Sequence, residues 1–269
     1  LTARLLNELP GNPFRTGRHV EHDPRSVNYP ARVGPLSALR SVDHELRIAI
    51  LNQADLGSCV GNAWTYSLGF DSSARRGFTR VNDRPLDEPF AVVVYDLATH
   101  LDDVPGEHPP DDTGSTGIGG AKAVQQLAPD LLRGYTHAFA FAAVGTALLD
   151  TAVPIGIPWY NSMFEPHADG GVPVVPSSGL AGGHEVCLGR LEVVTGTDRS
   201  RDRYWFPNSW DTSWGVQGWG FFTAKDLATL LRNDGDATVP VWATAPQPEL
   251  SAQQLWDKLK VTASQAGLQ

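Results

Sequence analysis

Leu56-Gly57-Ser58-Cys59-Val60-Gly61-Asn62-Ala63-Trp64, with Gln53 just upstream, is the stretch around which the rest of the chain is read. A turn of small residues delivers a cysteine, and a helical pattern begins at that cysteine. Val60, Ala63, Trp64 and Leu68 recur at 3.6-type spacing, and Arg75-Arg76-Gly77 reads as the stop. The first turn of a helix carries unpaired backbone N–H groups and the positive end of the dipole. A thiol placed there is expected to shift toward thiolate, the form that attacks carbonyls. Cys59 is therefore the candidate nucleophile. A glutamine amide can donate to a developing oxyanion, so Gln53 and the Cys59 backbone N–H are expected to form an oxyanion hole.

Composition sets the bounds. A chain of 269 residues, 41% hydrophobic, can bury one large core or two lobes sharing a cleft. A formal charge of −9 with no basic stripe argues against a nucleic-acid partner. No apolar run is long enough to span a bilayer, so no membrane partner is expected. Leu1 to Pro10 lacks the charged-then-apolar pattern of a secretion signal, and the sequence opens without an initiator methionine. The two cysteines, Cys59 and Cys187, are too few for a disulfide framework and point to a reducing compartment, cytoplasmic or particle-associated. Seventeen arginines against four lysines point weakly to a GC-rich bacterial or phage genome.

Residues 1–39 read as an arm lying across the body. Asp87-Glu88-Pro89 is a helix start, with proline at the first helical position, and Phe90 to Leu101 is apolar all round, as a buried helix is. Asp102, Asp103, Glu107, Asp111 and Asp112 read as a solvated acidic loop, since the ligand spacing of a calcium loop is missing. Thr113-Gly114-Ser115-Thr116-Gly117 opens a helix from Ile118 to Leu127, and its glycines let another backbone approach closely. Beyond Phe139 the pattern turns to strands: Val153 to Tyr160, a run through His184 to Leu188, Arg203 to Pro207, Gly218 to Phe222 and Thr238 to Ala243. Short helices are expected at Ala143 to Ala152 and Asp226 to Arg232, and a tail helix within 246–269.

A thiol nucleophile needs a base that takes its proton and a third group that fixes the base's ring. His184, after Gly182-Gly183, and Asn208, before Ser209-Trp210, are the candidates. Asn208 falls within the roughly 130–150-residue separation from the cysteine that such enzymes show, and His184 falls just short of it. His184-Glu185 does not continue into a zinc motif, because Leu188 stands where a second histidine belongs. His137 and His167 read as structural or surface residues, and Cys187 as core.

Together with Trp214-Gly215 and Gly218-Trp219-Gly220-Phe221, these pieces resemble the papain-like cysteine peptidase family over roughly residues 40–245, in a bacterial or phage-like form. The resemblance implies an α+β, two-lobe fold with the active-site cleft between the lobes. A helical lobe would cover about 40–135 and an antiparallel, β-barrel-like lobe about 136–245. It implies Cys59 as nucleophile, His184 as its partner, Asn208 as the ring-orienting residue and Gln53 as the oxyanion donor. Trp210 would shield the Asn208–His184 bond, and Gly114, Ser115, Gly183 and Trp210 would meet substrate. The implied reaction is peptide hydrolysis through an acyl-enzyme, with a peptide or protein partner and no metal or cofactor.

The sequence departs from the family pattern at several points, and Pro207, just before Asn208, removes a backbone donor there. Leu56 replaces a cysteine, Val60 replaces an aromatic residue and Asp211 replaces a glycine. No inhibitory propeptide is recognisable upstream, which leaves restraint of activity to the arm, to compartment or to nothing. The rival reading is a papain-like scaffold that binds within a larger assembly through its terminal segments.

Overall fold

A computed structural model describes residues 3–22, 24, 28–194 and 198–243; the expected tail helix lies outside the described residues. Helix α1 (Cys59–Gly69) is buried along its whole length, a position its small and apolar residues permit. Helices α2 (Glu88–Thr99) and α3 (Gly117–Leu127) pack against it. Asp87 caps α2 by accepting the Phe90 N–H at 3.1 Å, and Thr116 caps α3 by accepting the Gly119 N–H at 3.1 Å. The α1–α2 contact closes on Gly61, where a Cβ would stand 2.1 Å from the Ala91 carbonyl oxygen. Gly61→Ala is therefore expected to destabilise the fold by about 1–3 kcal/mol, read as a fall in melting temperature.

Helix α1 ends at Gly69, earlier than Arg75-Arg76-Gly77 suggested. The arginine still serves the terminus, from outside the helix. Arg75 folds back so that Nη1 donates to the Leu68 and Phe70 carbonyls at 3.1 and 3.2 Å and Nη2 to the Ser67 carbonyl at 3.1 Å. Cations at a helix C-terminus satisfy free carbonyls in this way.

The remaining elements are β1 (Val42–Asp43), the β2/β3 hairpin (Arg80–Val81 and Arg84–Pro85), β4 (Leu132–Ala138), α4 (Phe141–Leu148), β5 (Val153–Tyr160), β6 (Leu180–Leu188), β7 (Arg190–Glu192), β8 (Arg203–Pro207), β9 (Trp219–Thr223), α5 (Ala224–Arg232) and β10 (Asp236–Trp242). They form two antiparallel four-stranded sheets, ordered β4-β10-β5-β6 and β1-β7-β8-β9. The antiparallel, barrel-like lobe is built from these sheets, and no closed barrel forms among the described residues. Closure through β6 is pre-empted because its outer edge belongs to the N-terminal arm: Leu9 N–H donates to the Ala181 carbonyl at 3.0 Å, and Gly17 and Arg18 N–H donate to the Gly183 carbonyl at 3.0 and 2.8 Å. Covering an edge strand in this way also satisfies its free backbone groups.

Tyr66 of α1 joins the helices to the sheets. Its hydroxyl accepts the Leu51 N–H at 2.6 Å and donates to the Asn208 carbonyl at 3.0 Å.

Candidate active site

Cys59 is the first residue of α1, and Ser58 precedes it as N-cap without a side-chain cap bond. Asp112 steadies the turn from outside. Its carboxylate accepts the Gly57 N–H at 3.0 Å, the Tyr95 hydroxyl at 2.8 Å and a bond from Arg15. Asp102 accepts the Ser115 hydroxyl at 2.6 Å. Two of the five acids expected in a solvated loop are therefore structural pins on the cleft wall.

On the opposing wall His184 lies on β6, fully buried. Its Nε2–H donates to Asn208 Oδ1 at 2.8 Å, and the same oxygen accepts the Ser209 N–H at 2.9 Å. Trp210 stacks on the imidazole at 4.6 Å between ring centroids, and Trp159 meets it edge-on at 4.9 Å. The Asn208–His184 bond is thus walled off from water, with Trp159 as a wall that its place in a strand gave no reason to single out. His184 Nδ1 is buried with no hydrogen-bond partner. Helix α1 packs against the same strand, and the Glu185 backbone N–H favours the ionised form of the Cys59 thiol.

Gln53 is held by its carbonyl end: Oε1 accepts the Ser209 hydroxyl at 2.5 Å, leaving Nε2 to donate to the Leu56 carbonyl at 2.8 Å and the Thr16 carbonyl at 3.2 Å. That last contact places a carbonyl of the arm on the donor expected to serve an oxyanion. The arm then continues along the cleft. Gly17 carbonyl accepts the Ser115 N–H at 2.9 Å, His19 N–H donates to the Ser115 carbonyl at 2.7 Å, and Trp210 Nε1–H donates to the Arg15 carbonyl at 2.8 Å. Phe14 stacks on Trp210 at 4.8 Å. Gly114, Ser115, Gly183 and Trp210, singled out as substrate contacts, all touch this segment. A Cβ on Gly114 would stand 2.2 Å from the Gly17 carbonyl oxygen and one on Gly183 2.2 Å from that of Arg18, so the glycines give the arm its close approach.

The covered cleft changes the acid–base state. Burial holds the Cys59 thiol far above its ordinary value, against the lowering effect of the Glu185 backbone N–H. Burial also pulls His184 down to about 4, although the bond to Asn208 favours the protonated ring. In this covered state burial therefore acts against the thiolate expected at a helix terminus, and against the protonated ring of His184.

Comparison with solved structures finds the same architecture elsewhere. The chain is similar to xylellain, a cysteine protease from Xylella fastidiosa, at 15% identity and a TM-score of 0.58, covering 84% of this chain and 96% of that one. It is similar to procathepsin B from Trypanosoma congolense at 10% identity and a TM-score of 0.52, over 88% and 93% of the two chains. A third neighbour is the digestive procathepsin L2 proteinase of Tenebrio molitor larval midgut, at 16% identity and 0.51, over 90% and 84%. The chain has the papain-like fold. No protein-family model and no curated protein sequence matches it.

Within this papain-like fold both cysteines are free and buried, and Cys187 lies in the core of β6 as expected. His137 is buried beside Asp236, and His167 is exposed. Among the described residues no helix is long and apolar enough to cross a membrane. Sequence reasoning missed Ser209 as the anchor of Gln53, Asp112 as the pin of the Cys59 turn, and Arg18 with its buried acids.

Proposed function

We propose that the protein is a cysteine peptidase kept latent by its own N-terminal arm. Cys59 attacks a peptide carbonyl, and His184, oriented by Asn208, takes the thiol proton and returns it to the leaving amine. Gln53 Nε2–H and the Cys59 backbone N–H receive the oxyanion. Water then hydrolyses the thioester and regenerates the enzyme. The bond from His184 Nε2 to Asn208 carries this reading, because it leaves Nδ1 as the ring nitrogen available to a thiol.

An iodoacetamide time course with peptide mapping tests the reading. Cys59 is expected to be modified faster than Cys187 once the arm is displaced, with a rate that follows the ionisation of an imidazole as well as a thiol. Equal, slow modification of the two cysteines would leave only the scaffold reading.

Acid is expected to loosen the arm. Burial lowers His19, His22 and His184 in the closed state, and hydration on opening returns each toward its ordinary value near 6.5. Glu185 runs the other way, since burial raises it to about 8 and hydration would release its proton. Three imidazoles against one carboxyl leave net proton uptake on opening, so the closed state weakens as pH falls from about 6.5 toward 4. Hydrogen exchange at the Gly17 and Arg18 amides, corrected for intrinsic rate, checks this: protection is expected to drop across that window.

A further inference from the structure

Arg18 has no exposed surface, and its guanidinium lies in a slot cut across three neighbouring strands. Strand register sets Glu185 of β6 and Asp236 of β10 on either side of Gly156 of β5. The glycine is the slot. A Cβ there would stand 2.3 Å from Arg18 Nε and 2.7 Å from Glu185 Oε2. Gly117, at the start of α3, leaves room on the other side, where a Cβ would fall 2.8 Å from Glu185 Oε1. Arg18 Nη2 donates to Asp236 Oδ1, and Nη1 donates to the Asp234 carbonyl at 3.1 Å. His137 of β4 backs Asp236 at 3.2 Å.

The slot holds more acceptors than Arg18 uses. Glu185 is 2% exposed, yet neither of its carboxylate oxygens has a hydrogen-bond partner, nor has Arg18 Nε. A buried carboxylate such as Asp236 is costly without a cation beside it, and a buried carboxyl such as Glu185 is costly without a hydrogen-bond partner. If substrate is to enter the cleft, the arm must leave and take Arg18 with it, so Asp236 then needs another cation and Glu185 a hydrogen-bond donor.

We propose that the slot is a specificity pocket for a guanidinium, filled during catalysis by a substrate arginine at the second residue from the scissile bond. The inference rests on the peptidase reading above. The position follows from the arm's path. With the Thr16 carbonyl on Gln53 Nε2, Gly17 and Arg18 are the first and second residues beyond it along the cleft. A substrate running opposite to the arm, the direction that keeps the Thr16–Gly17 bond from being presented for cleavage, sets its own second acyl-side residue at the place of Arg18. A planar fork that donates at once to the Asp236 carboxylate and the Asp234 backbone carbonyl, with the Glu185 carboxyl beside it, selects arginine over lysine. The arm closes the cleft by presenting the side chain that the pocket is built to take.

Two measurements on the full-length chain carrying Arg18→Ala test the pocket. Ethylguanidinium is expected to raise its melting temperature by several degrees, and propanol at equal concentration to leave it unchanged. Peptidyl vinyl sulfones with Arg, Leu or Glu at the second residue are expected to label Cys59, the arginine probe at least about tenfold faster. Adding Asp236→Asn, or Glu185→Gln where the first variant does not fold, is expected to bring the arginine and leucine rates to within about threefold. If Arg18→Ala does not fold, the same ratio is read on the unsubstituted chain at slower absolute rates.

Equal rates for the three probes, on a Cys59 that iodoacetamide modifies, would overturn the pocket and leave the nucleophile standing. No labelling of Cys59 by any reagent would overturn the peptidase reading. Stabilisation by ethylguanidinium in that case would reduce the slot to a lock for the arm and overturn it as a substrate pocket, as would the absence of stabilisation.

Discussion

Gly17→Val is expected to raise the rate at which iodoacetamide modifies Cys59 by about 30- to 100-fold. Gly17 passes over the Cys59 turn at φ +129°, a backbone conformation that a β-branched residue resists. A Cβ at this position would stand 2.2 Å from the Gly57 carbonyl oxygen and 2.7 Å from Gly57 Cα, and neither can swing aside as a side chain would. Strain of this kind costs about 2–3 kcal/mol, and about 1.4 kcal/mol is a factor of ten in a population. The cost falls on the closed state alone, since an arm lifted from the cleft meets no such contact. Peptide mapping by mass spectrometry over a time course reads the rate. An unchanged rate in a folded Gly17→Val chain would mean that the arm does not govern access to Cys59.

The larger effect is expected from Cys59→Ala placed in the arm-opened chain. Peptide cleavage should fall by about 10⁴-fold or more, because in the proposed mechanism the Cys59 thiol carries the acyl intermediate. The fold should survive the change. Cys59 is wholly buried, but alanine at the first position of α1 removes only one sulfur and suits a helix. Retained melting temperature with lost cleavage separates the chemical role of the thiol from a packing role. Cleavage that persists in Cys59→Ala would move the reaction to another residue.

Legibility in the sequence followed the range of the interactions. Strands β5 and β8 were readable to the residue: Val153–Tyr160 is a β-branched and aromatic run that ends at Asn161, and Arg203–Pro207 is flanked by Asp202 and Asn208. Helix α2 was readable from Asp87 and Pro89. Strand β4 was not, since Leu132–Ala138 shows no clean alternation of buried and exposed positions. Cys59, His184, Asn208 and Gln53 stood out because each sits in a short local motif. The Arg18 slot left no such mark: Glu185, Gly156 and Asp236 meet only through the register of three strands, and none is near another in sequence. Burial of the Cys59 thiol was equally invisible, because it depends on where residues 14–19 come to lie. The helix terminus argument took no account of desolvation, which in the covered cleft acts against the thiolate.

Mass spectrometry of an acid-quenched reaction between the Gly17→Val chain and an activated peptide ester bears most directly on the mechanism. A thioester at Cys59, matching the acyl half of the peptide and lost in Cys59→Ala, is the predicted result. Turnover of the ester with no adduct on Cys59, and at the same rate in Cys59→Ala, would contradict it.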